Sequence, residues 1–217
     1  MHSVLLAVAL TVAAPASWED VVARYAAVRD YTCLYVKEEQ AIDHGAPQTI
    51  RLSFRKPFDV RMEWLDDHGA VDQVAVYRQG MNDGKLIARR RGLLGSMLGT
   101  LHLDPRDRRA LQDSRHPITE VGLGRIVEGV MRALRDGTAS IQDAADVAGG
   151  KQLDLTVAPG TALLDVTGVQ RITIVVGTRL GLPVSVELFD RSGARLERHR
   201  FSDLRLNVGL SDAVFTL

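Results

Sequence analysis

The side chains that could do chemistry are few, and their spacing is poor for it. None of the six histidines lies three or four residues from another, the interval that sets two metal ligands on one helical face, and His44 and His68 fall in turns. A single cysteine, Cys33, excludes an intrachain disulfide framework and a multi-cysteine zinc site. Set between Thr32 and Leu34, it reads as a buried, inert thiol. Glu38-Glu39 and Asp66-Asp67 are adjacent pairs, and neighbours on an extended strand point to opposite faces, so neither makes a facing acid/base pair. Gly80-Met-Asn-Asp-Gly84-Lys85-Leu86 has too short a gap between its glycines for a phosphate loop and lacks the hydroxyl that would hold Mg²⁺; a turn built on Asp83-Gly84 fits better. Gly122-Leu-Gly124 follows no strand, and no serine sits in a strand-turn-helix elbow. Arg89-Arg90-Arg91 reads as a solvated strand edge rather than an anionic-lipid contact. No catalytic residue, metal or cofactor is expected, and the chain does not read as an enzyme.

The elements that would position any site alternate between two periods. Trp18, Val21, Val22, Tyr25 and Val28 recur at helical spacing, with Ser17 as N-cap and Glu19 and Asp20 in the first turn, and predict a helix over 18–29. The period then becomes two. Tyr31 to Val36 continues toward Ile42; Ile50, Leu52 and Phe54 alternate with Arg51, Ser53 and Arg55; Val60, Met62 and Trp64 follow Lys56-Pro57; Val71–Tyr77 and Lys85–Ala88 flank the Asn82-Asp-Gly84 turn. This is an antiparallel meander. Further on, a short helix is expected around 106–112 and a long one from Pro117 to about Arg135, with a stripe of Leu123, Ile126, Val127, Val130, Met131 and Leu134. Strands return at Leu153–Val157, Val169–Val176, Val184–Leu188 and Leu196–Phe201. The fold class is α+β, mainly antiparallel β, as one domain.

Composition narrows the partners. Twenty-seven basic and twenty-seven acidic residues cancel, which argues against a nucleic-acid partner, since phosphate binding needs a basic footprint. Val4–Ala14 is an apolar run of eleven residues, the length of a signal-peptide core and too short to span a bilayer. Ala14-Pro-Ala16 supplies small residues at the cleavage positions. Residues 1–16 are therefore expected to be removed on export to the periplasm or beyond, leaving 17–217 as a domain with no transmembrane segment. Gly92–Gly99 carries Leu93, Leu94, Met97 and Leu98 between glycines, a composition suited to a hydrophobic lid.

Several segments taken in order carry a resemblance. Leu52-Ser-Phe-Arg-Lys-Pro57-Phe58-Asp-Val-Arg-Met-Glu-Trp64, the Asn82–Lys85 turn, and the ending from Phe201 to Phe215 resemble the bacterial outer-membrane lipoprotein carrier superfamily. With Tyr31-Thr-Cys33, Arg115-His-Pro-Ile-Thr-Glu120 and Asp203-Leu-Arg-Leu-Asn-Val-Gly209, the chain is more closely similar to a family of secreted bacterial proteins of uncharacterised function sharing that fold. The resemblance covers residues 18–215. It implies an open half-barrel sheet wrapped over a few helices, with an apolar cavity for lipid or lipoprotein acyl chains. Lys56 takes the place of a basic residue that the carriers have before the proline. The ligand-binding residues are expected to be Leu52, Phe54, Lys56, Phe58, Val60, Met62 and Trp64 from the sheet, with Leu94 and Met97 from the lid. An alternative role for such a fold is an envelope regulatory or assembly module that binds a lipidated or protein partner.

Overall fold

The computed structural model describes residues 17–40, 42, 46–91 and 99–217. Helix α1 (Trp18–Ala26) starts at Ser17, whose hydroxyl accepts from the Asp20 N–H while the Asp20 carboxylate accepts from the Ser17 N–H, a reciprocal capping box. Two antiparallel meanders follow. The first is β1 (Asp30–Glu39), β2 (Gln48–Arg55), β3 (Asp59–Leu65), β4 (Val71–Arg78), β5 (Leu86–Arg90) and β6 (Leu101–Leu103). Helix α2 (Leu123–Arg135) then leads into β7 (Ala139–Val147), β8 (Gly150–Val157), β9 (Arg171–Gly177), β10 (Pro183–Phe189) and β11 (Arg195–Leu206). The meanders meet where β1 pairs with β11, so the eleven described strands form one sheet in the order β6-β5-β4-β3-β2-β1-β11-β10-β9-β8-β7. The sheet is not closed, and the helices lie against its inner face: an α+β open half-barrel.

Alternation decides which side chains face inward. Ile50, Leu52 and Phe54 of β2 and Ile172, Ile174 and Val176 of β9 are all buried, while the residues between them are not. At the β8–β10 end the helices fill the concavity. Trp18 and Val21 of α1 and Val127 and Val130 of α2 share one continuous core with Leu155, Ile174, Val186 and Leu188, and the Trp18 indole N–H donates to the Val127 carbonyl at 3.1 Å. Residues of this size contribute about 1.5–3 kcal/mol each when fully buried.

The outer face of β3 and β4 carries a smaller cluster, Val74 and Val76 against Phe215. Arg55 clamps the chain's last residues there: it binds Asp59 and Asp212, donates to the Leu210 carbonyl at 3.0 Å, and lies 4.9 Å from the Phe215 ring centre. The Asp203–Gly209 segment ends in the turn that sends the chain onto this face. Asn207 has φ 54°, its carboxamide oxygen accepts from the Arg29 N–H, and the Asp30 carboxylate accepts from Val208 N–H at 2.6 Å.

Five elements differ from the sequence reading. Residues 106–112 form successive turns rather than a helix, because the Asp104 and Asp107 carboxylates accept from the backbone N–H groups of Arg106 and Arg109 and compete with helical pairing. The second helix begins at Leu123, not Pro117. Gly122 at φ 102° interrupts it after a single 3₁₀ turn, Ile118–Glu120, and a Cβ at Gly122 would come within 2.5 Å of the Tyr31 hydroxyl. Helix α1 stops at Ala26, three residues early. Strands β6 and β7 are absent from the sequence reading altogether.

Candidate functional site

The helices leave the β3–β6 end of the inner face uncovered, and a cavity of about 280 Å³ lies there. Its sheet wall comes from cross-strand neighbours. Met62 pairs with Ala75, Ala75 with Ala88 and Ala88 with Leu101; Leu86 pairs with Leu103, and Trp64 stands one inward position along from Met62. Two consecutive alanines in that row give the wall its depth. The opposite wall is the segment 109–122, which crosses over the sheet as a strap and contributes Ala110, Ile118 and Val121, together with Ile126 of α2. Exposed Arg89, Arg90, Arg109 and Gln112 form the rim.

The inner end of the cavity is polar, and the central strands make it so. The inward face of β1 runs Tyr31, Cys33, Tyr35 and then Lys37 and Glu39; that of β11 runs Phe201, His199 and Glu197, and all are buried. Register sets Tyr35 opposite Phe201, Lys37 opposite His199, and Glu39 opposite Glu197. Two buried carboxylates face each other, and the strap supplies their partners. The Arg115 N–H donates to Glu39 at 2.8 Å, and Lys37 lies 3.4 Å from the same carboxylate. His116 Nε2–H donates to both oxygens of Glu197 at 3.0 and 3.1 Å, and His199 Nε2–H donates to one of them at 3.1 Å. The tautomers follow from the far side of each ring. Arg125 donates to His116 Nδ1 at 3.0 Å and the Tyr35 hydroxyl donates to His199 Nδ1 at 2.8 Å, which places both ring protons on Nε2. The Lys37 ammonium and the Gln48 amide both donate to the Asp113 carbonyl, at 3.1 and 2.9 Å, pinning the strap a second time.

Burial works against the Glu197 carboxylate, but hydrogen bonds from His116 and His199 outweigh it and hold the pKa down at about 2. Burial and the neighbouring Glu39 push the Tyr35 phenol well above its ordinary value, so it is a donor. Burial lowers Lys37, against the opposing pull of Glu39. Burial alone raises Cys33 to about 12, which makes it a poor nucleophile. Both nitrogens of each histidine and both oxygens of Glu197 are engaged, so the cluster holds the strap to the sheet. Among the described residues no group of three or more His, Cys, Asp or Glu side chains is placed to hold a metal ion.

Of the residues expected to bind a ligand, Met62 and Trp64 line the cavity. Leu52, Phe54 and Val60 are packed in the core instead, each at most 3% exposed. Phe58 is half-buried, edge-on to Phe54 and Tyr77. Lys56 turns away from the cavity. The strand ends at Arg55, and the Lys56 ammonium donates to the Tyr25 and Ala26 carbonyls (2.8 and 3.2 Å) and lies 4.4 Å from the Tyr25 ring centre, neutralising the C-terminal end of α1. Leu94 and Met97 fall outside the described residues. The polar end was missed because His116 and Glu197 are 81 residues apart in the chain. A signal was present: the inward alternation of Tyr31, Cys33 and Tyr35, carried two steps further, puts Lys37 and Glu39 inside.

A family model described as "Protein of unknown function (DUF1571)" matches residues 28–217. The chain belongs to this family. No curated protein matches it. Among solved structures, an uncharacterized conserved protein from Thermus thermophilus shares the DUF1571 chain's fold with a TM-score of 0.51 at 8% identity, covering 91% of each chain. The complex of Pseudomonas aeruginosa MucA/MucB gives 0.48 at 16% identity over 92% of this chain and 59% of that one, and of MucB solved alone the chain spans 63%, so it covers less than two thirds of these relatives' length. A LolA superfamily protein from Nitrosomonas europaea gives 0.36 at 10% identity, covering 94% and 99%. These likenesses concern the fold.

Proposed function

We propose that this protein is an exported, non-enzymatic binding protein of the envelope whose cavity shelters an acyl chain of a lipid or lipoprotein. The observation that carries this reading is the cavity's construction: an apolar sheet wall kept hollow by Ala75 and Ala88 and roofed by a strap rather than a helix. Its 280 Å³ lies just under the roughly 300–1,000 Å³ of small-molecule sites, which suits one chain rather than several. A binding role is favoured over a catalytic one because the acid and base groups at the polar end are already paired with each other. Export by residues 1–16 belongs to the same proposal, and no helix among the described residues is long and apolar enough to cross a membrane.

Native mass spectrometry of protein purified from its own host tests the reading: a lipid adduct near one equivalent is expected. Ala88→Phe, which fills the void from the sheet side, should leave a folded protein that loses both the adduct and binding of a fluorescent fatty acid. Recovery of the adduct on that folded variant would place the ligand elsewhere. A second reading, a module that docks a lipidated or protein partner, is favoured by the edge strand β7, where Ile141 and Val147 are 41% and 37% exposed. A stable stoichiometric protein complex with an empty cavity would favour it over the first.

A further inference from the structure

The polar end of the cavity holds one cation whose carboxylate partner is solvent-exposed. Glu39 is answered by Lys37 and the Arg115 N–H, and Glu197 by two imidazoles and Arg115 at 3.5 Å. Arg125 also lines this end, with 15% of its side chain exposed, but its shortest contact is Nδ1 of His116. The nearest carboxylate in its ion-pair range, Asp165, stands 3.5 Å away and is two-thirds exposed, and Arg125 Nε is buried without an acceptor among the described residues. A guanidinium keeps its charge under all ordinary conditions, so one placed beside an apolar wall, with a solvent-exposed carboxylate as its ion-pair partner and an unused Nε–H, can also take an anionic ligand. Lys37 adds to this field. It is 3% exposed, and its contacts to Glu39 and the Asp113 carbonyl leave one of its three ammonium donors uncommitted.

The rim is differently disposed. Arg109 already holds Asp107 through two nitrogens, and Arg90 lies 3.4 Å from Asp72. Resting on the reading of the cavity as an acyl-chain site, we propose that its ligand is a single-chain amphiphile with an anionic head, a carboxylate or a phosphate monoester, bound head inward with the head against Arg125 and Lys37 and the chain along Met62, Ala75 and Ala88.

Displacement of an apolar fluorescent dye from delipidated full-length protein by decanoate, decyl phosphate and decanol tests this, since the three share a chain length and differ in the head. At least one anion should bind about tenfold or more tightly than decanol, the scale of one hydrogen bond to a charged group. Comparing the two anions tells a carboxylate head from a phosphate one. Arg125→Gln should cut the preference below about threefold, and Arg125→Lys should keep most of it. Equal affinity of wild type for all three compounds would overturn the proposal while leaving the acyl-chain reading standing; failure of all three to bind would overturn both. A preference that survives Arg125→Gln and is lost in Arg89→Ala would set the head at the rim and overturn the inward orientation.

Discussion

One sheet carries two unlike interiors. At the β8–β10 end, Leu155, Ile172, Ile174, Val186 and Leu188 meet α1 and α2 and leave no room. At the β3–β6 end, Met62, Ala75, Ala88 and Leu101 face a strap of turns with a single 3₁₀ turn and no α-helix, and space remains. Strand alternation is the same on both sides, so the difference comes from the cover and from side-chain volume. A large apolar residue at each inward position builds a core, and an alanine at two adjacent ones, with only turns above them, builds a container. The buried polar cluster of β1, β11 and the strap lies along the boundary.

The largest expected effect is at that boundary. Glu197→Ala strands two imidazole N–H donors in a dry site and should destabilise the fold by about 3–5 kcal/mol in urea unfolding. Acid should act through the same carboxylate. Its folded pKa of about 2 lies below the ordinary 4.5, so the stability it supplies is complete above about pH 4.5 and is lost as pH falls toward 2. The shift corresponds to on the order of 3 kcal/mol. Glu197→Gln should flatten that part of the stability profile relative to wild type, and parallel profiles for the two proteins would refute the assignment.

The two interiors should differ under truncation. Ile174→Ala, at a fully buried position of the filled end, should cost about 2–5 kcal/mol. Met62→Ala removes a side chain that already borders a void, so fewer packing contacts are lost, and less than half that cost is expected from urea midpoints. Equal costs would mean that the hollow end is packed like the other. The smallest effect is outside both. Lys56→Ala should cost about 1 kcal/mol by uncapping α1 and leave fatty-acid binding as it was. Weakened binding in that variant would return Lys56 to the ligand.

Much of the sheet was legible because half-buried strands advertise themselves by alternation, as Ile50-Arg-Leu-Ser-Phe54 does. Strand β7 was not, since every residue after Ala139 in Ser140–Val147 is exposed and polar and apolar types follow no period. Lys56 was placed among the ligand residues by resemblance, and the turn at 56–58 that follows the strand's end directs its side chain to α1 instead. The cavity itself was only half legible. Met62 and Trp64 lie on a recognisable inward face, whereas Ala75 and Ala88 matter through what they lack, and residues that create space leave a weak mark in a hydrophobic pattern. The polar end depends on three segments far apart in the chain, and local spacing carries no information about such a meeting.

The pairing of β1 with β11 has a consequence for how the molecule comes into being. Tyr35 and His199 touch across 164 positions of chain, and the same seam joins the two meanders. Closing so long a loop carries an entropic cost that only the completed pairing offsets, which ties the seam to late, slow, long-range assembly. Each meander can zip up from its own hairpins, and β1 and β2 already hold the strap through Glu39, Lys37 and Gln48, but its second anchor waits until β11 delivers Glu197 to His116. A ribosome still holding the last strand therefore holds a protein with two half-sheets and a roof anchored on one side alone. The container arises with the final strand of the sheet, and a chain cut short before residue 195 forfeits it whole.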